Sequence, residues 1–328
     1  MTPARKMNVL ITGASGFIGS ALSRRLAPRP DLHVTGLVRQ KEKGDFLLEL
    51  GAAVAVGDVR DDTTMTELFS AHFDIVCHVA AWLNGSPRKN YHLVNVTATK
   101  RLLSLAETAR VARFIYTSSI MVYGLHDSID VLENAILAPY GDDYGDTKIE
   151  AEAIVQEASR RGRIETCIVR PGMVYGPQSQ AWTVQIIDWG KRGLMPMVDN
   201  GRGSAFPVYI DNLIDLLELC IDHPDAANST FNAVDDGPIT FNEFLGSYMS
   251  MIPTTRALRL SGSPLKTLAK LLSFVSPGRS LPYLIHQLTQ TGQIQNEAAK
   301  TKLGWQPAVS LRDGMARTEA WLRASGYI

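Results

Sequence analysis

Short apolar runs alternate with segments of helical periodicity through the first half of the chain. Each run is bounded by glycine or polar residues, which is the pattern of a buried strand. The strands expected from this pattern lie at residues 8–12, 33–38, 53–57, 74–79, 113–119 and 164–170. The segments between them place apolar residues three or four positions apart, which predicts helices. Regular strand–helix alternation predicts a parallel sheet with helices on both of its faces.

The alternation becomes looser beyond residue 177. A strand leading into a helix is expected at 208–220 and one more strand at 231–234, whereas 241–284 has a mostly helical and strongly apolar pattern. No repeat or linker interrupts the chain, so two lobes around one cleft fit better than two tethered domains. We therefore expect an α/β fold with a doubly wound parallel sheet. Its Rossmann domain comprises residues 1–177 plus about 207–235, and a smaller, mostly helical C-terminal substrate-binding lobe comprises 178–206 plus about 236–328.

Composition and charge narrow the choice of partner. The 328 residues are 45% hydrophobic and 20% charged, and 33 Lys plus Arg balance 33 Asp plus Glu. A neutral balance gives no electrostatic reason to expect nucleic acid or an acidic membrane surface as a partner. No apolar run approaches the ~20 residues that span a bilayer, and the N-terminus lacks the regions of a signal peptide. A cytoplasmic location is therefore expected.

The cysteines and His78 do not form a metal-binding pattern. Cys77 and Cys167 lie inside apolar runs, so they are expected to be small core residues rather than disulfide partners or metal ligands. His78 ends the fourth strand without a His, Cys or carboxylate at metal-ligand spacing, which predicts no metal site. Ala80 and Ala81, which follow His78, are small enough to leave room for a cofactor.

A glycine-rich turn separates the first strand from the first helix. In Gly13-Ala14-Ser15-Gly16-Phe17-Ile18-Gly19, the first glycine permits a tight turn and the second lets a pyrophosphate approach the backbone. The third lets the helix pack against the strand, and the helix N-terminus supplies N–H donors. This context favours dinucleotide binding over a merely structural turn.

The end of the second strand bears on the choice between the two nicotinamide dinucleotides. Arg39 stands where an NAD-specific site usually has Asp or Glu, and Lys41 and Lys43 follow it. An arginine there suits the 2′-phosphate of NADP. NADP(H) is therefore favoured and NAD(H) stays open, because a solvated basic loop is the competing interpretation.

Tyr144 and Lys148 are the candidate proton-transfer pair. Four positions apart on an expected helix, they share one face, and a neighbouring ammonium favours the phenolate form of a tyrosine. Such a pair can move a proton to or from an alcohol near pH 7. Ser119 ends the fifth strand, at the sheet edge where ligands bind, and is placed to donate to a substrate oxygen. An ordinary amphipathic helix face is the competing interpretation of the pair taken alone.

Several motifs together resemble the extended short-chain dehydrogenase/reductase family, the NAD(P)-dependent epimerase/dehydratase group. They occur in the family's order and cover nearly the whole chain. The matching segments are 12–19, Asp58, 78–81, 95–96, 118–124, 144–148, 170–177, 208–212 and 303–307. With this set in place, the amphipathic-face interpretation becomes a minor one.

The resemblance implies a role for each matching residue. Gly13, Gly16 and Gly19 would cradle the pyrophosphate, Asp58 would contact the adenine, and Ala80 would line the nicotinamide. Ser119 would hold the reacting oxygen, Tyr144 would be the acid/base, and Lys148 would bind the nicotinamide ribose and lower the tyrosine pKa. Asn95 is included with this catalytic set. The wider cofactor-binding set adds Ser15, Phe17, Ile18, Arg39, Val59, Ala81, Pro171, Gly172, Met173 and Val174. The helices near Asn95 and Tyr144 would form the interface of a homodimer.

Departures from the family pattern bear on the substrate. Sugar-nucleotide enzymes of the family commonly carry Arg-Asp-Phe before the 208–211 strand, and their arginine helps to bind substrate phosphate. Here Ala205-Phe206-Pro207 occupies that approach. The Leu37-Val38-Arg39 strand end looks like dihydroflavonol-reductase-like members. The apolar stretch at 258–275 is similar to the hydroxysteroid-dehydrogenase-like branch, or is simply a core helix.

Three functions follow, in decreasing order of support. The first is an NAD(P)-dependent carbonyl reductase or alcohol dehydrogenase for an uncharged or hydrophobic small molecule. The second is a sugar-nucleotide epimerase or dehydratase with tightly bound NAD, in which Arg202, Arg192 or Lys191 would have to serve the diphosphate. The third is a cofactor-sensing protein without turnover, and an intact set of Ser119, Tyr144 and Lys148 argues against it.

Overall fold

The computed structural model describes residues 5–83, 88–124, 130–265 and 281–328. Within these ranges the strands are β1 (Met7–Thr12), β2 (Leu32–Val38), β3 (Ala53–Val56), β4 (Ile75–His78), β5 (Arg113–Thr117), β6 (Asp130–Val131), β7 (Glu165–Pro171), β8 (Met173–Tyr175), β9 (Leu194–Val198), β10 (Ser204–Ala205), β11 (Pro207–Tyr209), β12 (Ser229–Ala233), β13 (Ile239–Thr240), β14 (Arg256–Leu260) and β15 (Gln293–Ile294).

The α-helices follow the strands closely in the first half of the chain. They are α1 (Phe17–Leu26), α2 (Asp45–Glu49), α3 (Asp62–Leu68), α4 (Arg88–Tyr91), α5 (Ala98–Thr108), α6 (Asp143–Arg161), α7 (Gln185–Lys191), α8 (Ile210–Asp222), α9 (Phe241–Met251), α10 (Leu281–Thr289), α11 (Glu297–Leu303) and α12 (Leu311–Ala324). A π-helical segment, His92–Thr97, joins α4 to α5. None of the helices within the described ranges is both long and apolar enough to span a membrane.

Seven strands form one parallel sheet in the order β12-β7-β5-β4-β1-β2-β3. Every strand pairs in parallel with its neighbours, and Thr12 at the end of β1 lies opposite His78 at the end of β4. Strand order reverses at β1, so crossover helices cover both faces and a crevice opens at the carboxyl ends of β1 and β4. The predicted doubly wound Rossmann sheet is confirmed.

The two faces of the sheet bury alternate residues of the same strands. On one face Ile11, Cys77 and Ile115 pack against the side of α1 and α8. On the other, Leu10, Phe114 and other side chains pack against α5 and α6. Burial on both faces explains why the strand sequences read as continuous apolar runs. The three cysteines are unpaired and buried, as expected for Cys77 and Cys167.

The expectation of a mostly helical region at 241–284 is wrong for its middle part. After α9 the chain forms β14, which pairs in parallel with β9 and leaves Leu258 41% exposed. Pairing with the edge of β9 outweighs the helix preference of its Ala, Leu and Arg residues. The remainder of the expected apolar stretch, 266–275, lies outside the described residues.

Within the described residues, four short two-stranded sheets lie outside the large sheet. The pairs are β10 with β13, β11 with β8, β14 with β9 and β15 with β6. β12 (Ser229–Ala233) joins the edge of the large sheet beside β7. The exact division of the chain between the two lobes stays a prediction.

Candidate active site

Ser119 and Tyr144 meet at the carboxyl end of β5. Ser119 begins the 3₁₀ turn Ile120–Tyr123, and its Oγ accepts a hydrogen bond from the backbone N–H of Met121 at 3.2 Å. Tyr144 lies in the first turn of α6, where the Asp142 carboxylate accepts its N–H at 3.0 Å and caps the helix. The side chains of Ser119 and Tyr144 are hydrogen-bonded to each other.

Lys148 lies beneath this pair and is only 1% exposed. Its Nζ donates to the backbone oxygen of Thr117 at 2.7 Å. The same Nζ lies 4.6 Å from the ring centre of Tyr116 and 5.8 Å from that of Tyr144. The structure therefore brings together the three residues that the sequence predicts.

Burial has the largest effect on the pKa values of Tyr144 and Lys148. It raises the pKa of Tyr144 well above the usual tyrosine value, and the hydrogen bond with Ser119 opposes that rise only in part. Burial lowers the pKa of Lys148 to about 7, and the negative charge of Glu152 opposes that fall. The expected lowering of the tyrosine pKa by Lys148 stays a prediction, and in the protein alone the desolvation of the phenolate is the largest effect on that pKa.

The glycine turn has the shape that a pyrophosphate site needs. Gly13 adopts a positive φ of 68°, and a Cβ added there would lie 2.8 Å from Cα of Ala80. A Cβ at Gly19 would clash with the carbonyl oxygen of Gly13. Gly16 caps α1 without a side-chain hydrogen bond, and no acidic residue lies in the first turn. The first N–H groups of α1 can therefore serve an anion, with Ser15 and Gly16 exposed beside them.

The polar residues at the carboxyl end of β5 are also consistent with a bound group. The side-chain oxygens of Tyr116, Thr117 and Ser118 are buried and have no hydrogen-bond partner within the described structure. Buried polar groups are normally satisfied, so unpaired atoms beside Lys148 fit a site completed by a polar ligand. Together with the glycine turn, these residues fit a nicotinamide dinucleotide.

Beside Asp58, the residue expected to contact the adenine, the structure adds a cation that the sequence did not single out. The Asp58 carboxylate accepts from the guanidinium of Arg60 at 2.9 and 2.7 Å, and this pairing is the main reason that its pKa is lowered. Arg39 is exposed at the end of β2, and its charge also acts on Asp58. Val59 is buried. Arg60 belongs to none of the motifs found in the sequence, so its pairing with Asp58 was not expected.

The predicted cofactor-binding residues at the end of β7 and after it lie where the chain passes close to the segment that contains Phe206. A Cβ at Gly172 would clash with the carbonyl oxygen of Phe206, and the N–H of Met173 donates to that oxygen at 2.7 Å. Pro171 ends β7 and Val174 lies in β8, both buried. Their roles in cofactor binding stay predictions, as do those of Phe17, Ile18, Ala80 and Ala81 near the glycine turn.

Asn95 connects the segment after β4 to α6. It is 1% exposed, its Oδ1 accepts from the N–H of Trp82 at 2.8 Å, and its Nδ2 donates to Thr147 Oγ1 at 3.1 Å. These bonds hold the residues after Ala81 against the helix that carries Tyr144. A direct catalytic role for Asn95 stays a prediction.

His78 is a core residue in the structure. Its ring nitrogens lie 2.7 Å from Thr12 Oγ1 and 2.9 Å from Thr99 Oγ1, and burial lowers its pKa to about 3. Within the described ranges, no group of three or more His, Cys, Asp or Glu residues is placed to hold a metal ion.

A cleft adjoins the 3₁₀ turn that begins at Ser119. Its lining comes from that turn, from β6, from the approach to β11, from the last part of α10 and from the segment after α10. Within the part of the chain that the structure describes, its lining residues are all uncharged: Ile120, Tyr123, Gly124, Val131, Phe206, Gln287, Gln290, Thr291, Gly292, Gln293 and Ile294. Phe206 belongs to the Ala205-Phe206-Pro207 segment, where the family resemblance led us to expect an arginine in a sugar-nucleotide enzyme.

Comparison with known proteins agrees with this geometry. Residues 9–233 match the model of the NAD dependent epimerase/dehydratase family. The chain is 30% identical to UDP-glucose 4-epimerase of Vibrio cholerae over 99% of each chain. It is 25% identical to 2-alkyl-3-oxoalkanoate reductase of Shewanella oneidensis over 97% of this chain and 87% of that one.

A solved structure shows the same fold. UDP-glucuronic acid 4-epimerase from Bacillus cereus, in complex with NAD, matches with a TM-score of 0.79 at 20% identity, over 97% of this chain and 99% of that one. The resemblance drawn from the motifs is confirmed, and the protein is an enzyme of the oxidoreductase and epimerase type. The chain belongs to the NAD-dependent epimerase/dehydratase family, the extended short-chain dehydrogenases/reductases.

Proposed function

We propose that the protein is an NAD(P)-dependent carbonyl reductase or alcohol dehydrogenase that acts on an uncharged or hydrophobic small molecule. The observation that carries the proposal is the contact between the hydroxyls of Ser119 and Tyr144 above the buried Lys148. Two hydroxyls at one point can both hold a single carbonyl oxygen, and one of them can pass it a proton.

The chemistry divides between the cofactor and the chain. The nicotinamide supplies or accepts the hydride. Tyr144 donates its proton to the substrate oxygen in reduction, or takes it back in oxidation. Ser119 holds that oxygen in place, and the Lys148 ammonium, next to both tyrosine rings, stabilises the negative charge left on Tyr144.

The preference for an uncharged substrate rests on the cleft beside Ser119. Its described lining pairs apolar side chains such as Phe206 and Val131 with glutamine side chains such as Gln290. A phosphate buried against this lining would lack a charged partner, which is costly. The similarity to a relative named 2-alkyl-3-oxoalkanoate reductase supports the same class of substrate.

A sugar-nucleotide epimerase is the second candidate. It is favoured by the 30% identity to UDP-glucose 4-epimerase of Vibrio cholerae along the full length of both chains. In this case a cation outside the usual position would have to bind the diphosphate of the sugar nucleotide. Arg202 is exposed, and its Nε donates to the backbone oxygen of Asp199 at 3.2 Å, so it is available for such a role.

The first experiment identifies any nucleotide released from the purified protein and then titrates the emptied protein with NADPH and NADH. A reductase exchanges its cofactor in each cycle, so we expect reversible binding, followed by oxidation of the reduced cofactor when aldehydes and ketones are supplied. Stoichiometric and slowly released NAD, with interconversion of UDP-sugars, would instead establish the epimerase. Binding of nucleotide without turnover of either substrate class would point to a cofactor sensor.

The cofactor preference is tested at Arg39. If its guanidinium binds the 2′-phosphate, Arg39→Ala should weaken NADPH binding by about 10- to 100-fold, as expected for loss of one charge-assisted contact. NADH binding should change less than about two-fold. Fluorescence titration of the reduced nucleotides measures both affinities.

Lys43→Ala is the matched control for Arg39→Ala, because Lys43 is an exposed cation in the same segment. We expect it to leave both affinities nearly unchanged. Equal losses for the two nucleotides in Arg39→Ala, or equal effects of both variants, would show that the basic segment does not recognise the 2′-phosphate.

We also propose a homodimer formed by the outer faces of α5 and α6. Leu105 on α5, Ile149 and Ile154 on α6, and Leu93 in the π-helical segment before α5 are only partly buried in the single chain. Light scattering coupled to size-exclusion chromatography should give a mass near twice the 36.0 kDa of one chain. A mass of one chain at micromolar concentration would exclude this interface.

A further inference from the structure

Three charged side chains lie in a row inside the Rossmann domain. Lys148, Glu152 and Arg170 are 1%, 0% and 2% exposed. Lys148 and Glu152 are one turn apart on the same face of α6, and Arg170 projects from β7, which packs against that helix. Burying a charge costs folding free energy unless an opposite charge compensates it, so the burial of these three side chains calls for a physical explanation.

Arg170 binds Glu152 through two parallel hydrogen bonds. Its Nε donates to Glu152 Oε1 at 2.9 Å and its second terminal nitrogen donates to Oε2 at 2.6 Å. Its other terminal nitrogen donates to the Tyr123 hydroxyl at 2.8 Å and to the backbone oxygen of Glu133 at 2.9 Å. Arg170 is therefore held rigidly, and the carboxylate has a fixed place one turn below Lys148.

The other groups around Lys148 give it little negative charge. Its hydrogen-bond acceptor, the Thr117 carbonyl, is neutral. Burial keeps His78 uncharged near neutral pH and raises the pKa of both Tyr116 and Tyr144. Glu152 is the carboxylate whose charge acts on Lys148, and that interaction favours the ammonium.

The remaining charged groups on α6 and its neighbours point elsewhere. Tyr123 binds Arg170, and the carboxylates at the start of α6 cap its backbone or the preceding loop. The ion pairs of the outer surface join His92 to Glu150 and Arg161 to Glu107. Partly exposed pairs of this kind are screened by solvent.

We propose that Glu152 is a positioning residue that keeps Lys148 positively charged in its buried site, and that Arg170 limits how strongly it does so. The ionisation of Lys148 can be measured without turnover, and the proposal depends on the proposed function only for its effect on catalysis. Without Glu152, the ammonium would face the unpaired guanidinium of Arg170 and would lose its proton more readily. Without Arg170, it would face an uncompensated carboxylate and would hold its proton more firmly.

The test measures the pKa of Lys148 in the full-length protein labelled with carbon-13 at lysine Cε. The signal is assigned by its loss in Lys148→Arg and followed through a pH titration. Glu152→Gln should lower the Lys148 pKa and Arg170→Met should raise it, each by about one unit or more. The double variant Glu152→Gln with Arg170→Met should lie between wild type and Glu152→Gln, because it removes the carboxylate and the repelling guanidinium together.

Glu150→Gln is the matched control. It is the same substitution on the same helix, two residues from Lys148, but its side chain is 48% exposed and pairs with His92. We expect no measurable change in the Lys148 pKa. A comparable downward shift in this variant would mean that any loss of negative charge on α6 has the same effect, which would overturn the role of Glu152.

Opposite shifts from the two single variants are the decisive result, since a purely structural pair would disturb Lys148 in the same direction from either side. An unchanged pKa, or a shift of one sign in both, would overturn the proposal. If Glu152→Gln fails to fold, the double variant still decides: a pKa at or above the wild-type value would overturn the proposal, and a lower one would support it. Where turnover is found, its high-pH limit should move in the same order as the Lys148 pKa.

Discussion

Tyr144→Phe is expected to reduce turnover by about 10²- to 10⁴-fold, the usual contribution of a positioned acid/base. The substitution removes the hydroxyl that contacts Ser119 but keeps the ring that packs near Lys148. Binding of the nicotinamide nucleotide should therefore stay within about two-fold of wild type. Steady-state kinetics and fluorescence titration, carried out on the same preparation, measure the two effects.

Tyr91→Phe is the matched control for that experiment. Its hydroxyl donates to the backbone oxygen of Leu83 at 3.2 Å, outside the contact between Ser119 and Tyr144. We expect this variant to keep its rate within a few-fold of wild type. If Tyr144→Phe turned over as fast as wild type, Tyr144 could not be the proton donor, whatever the substrate.

The raised pKa of Tyr144 sets the protonation state from which the proposed reaction starts. Burial keeps the phenol protonated at neutral pH, and a protonated phenol is ready to donate to a carbonyl oxygen that receives a hydride. Oxidation of an alcohol needs the same group to lose its proton first, so it should gain more from a rise in pH. Under the proposed function, oxidation should therefore have its maximal rate at a higher pH than reduction.

The motifs predicted the parts of the site that depend on local sequence. The glycine turn between β1 and α1 and the spacing of Tyr144 and Lys148 on one helix are local, because four residues or one turn of backbone fix them. Ser119 was found because strand ends in a parallel sheet meet at one edge. These features needed no knowledge of distant contacts.

What the sequence left open depends on residues that are far apart in the chain. The charge next to Lys148 is set by Glu152, but its effect depends on Arg170, which reaches it from another element. The strand β14 forms because it pairs with the edge of β9, which lies much earlier in the chain. In each case a tertiary contact decides between structures or protonation states that the local sequence permits equally.

Gly19→Ala is expected to abolish measurable dinucleotide binding and to destabilise the protein by about 3 kcal/mol. The added Cβ would clash with the carbonyl oxygen of Gly13, which is backbone and cannot rotate away. α1 would have to move off the end of β1, and the N–H groups that we expect to bind the pyrophosphate would move with it. Urea unfolding measures the loss of stability, and fluorescence titration with NADPH and NADH measures the loss of binding.

Gly246→Ala is the control that separates this clash from a general effect of replacing glycine in a helix. Gly246 lies inside α9, and a Cβ added there meets no atom within 4 Å. Alanine is the better helix former, so this variant should gain about 0.5–1 kcal/mol and keep its nucleotide affinity. If Gly19→Ala were as stable as Gly246→Ala and bound nucleotide normally, the close packing of α1 on the Gly13 turn would not be required for the cofactor site. The effect of a glycine-to-alanine substitution on stability is thus expected to have opposite signs in α1 and α9, because α1 starts against the Gly13 turn, where we expect the pyrophosphate to bind.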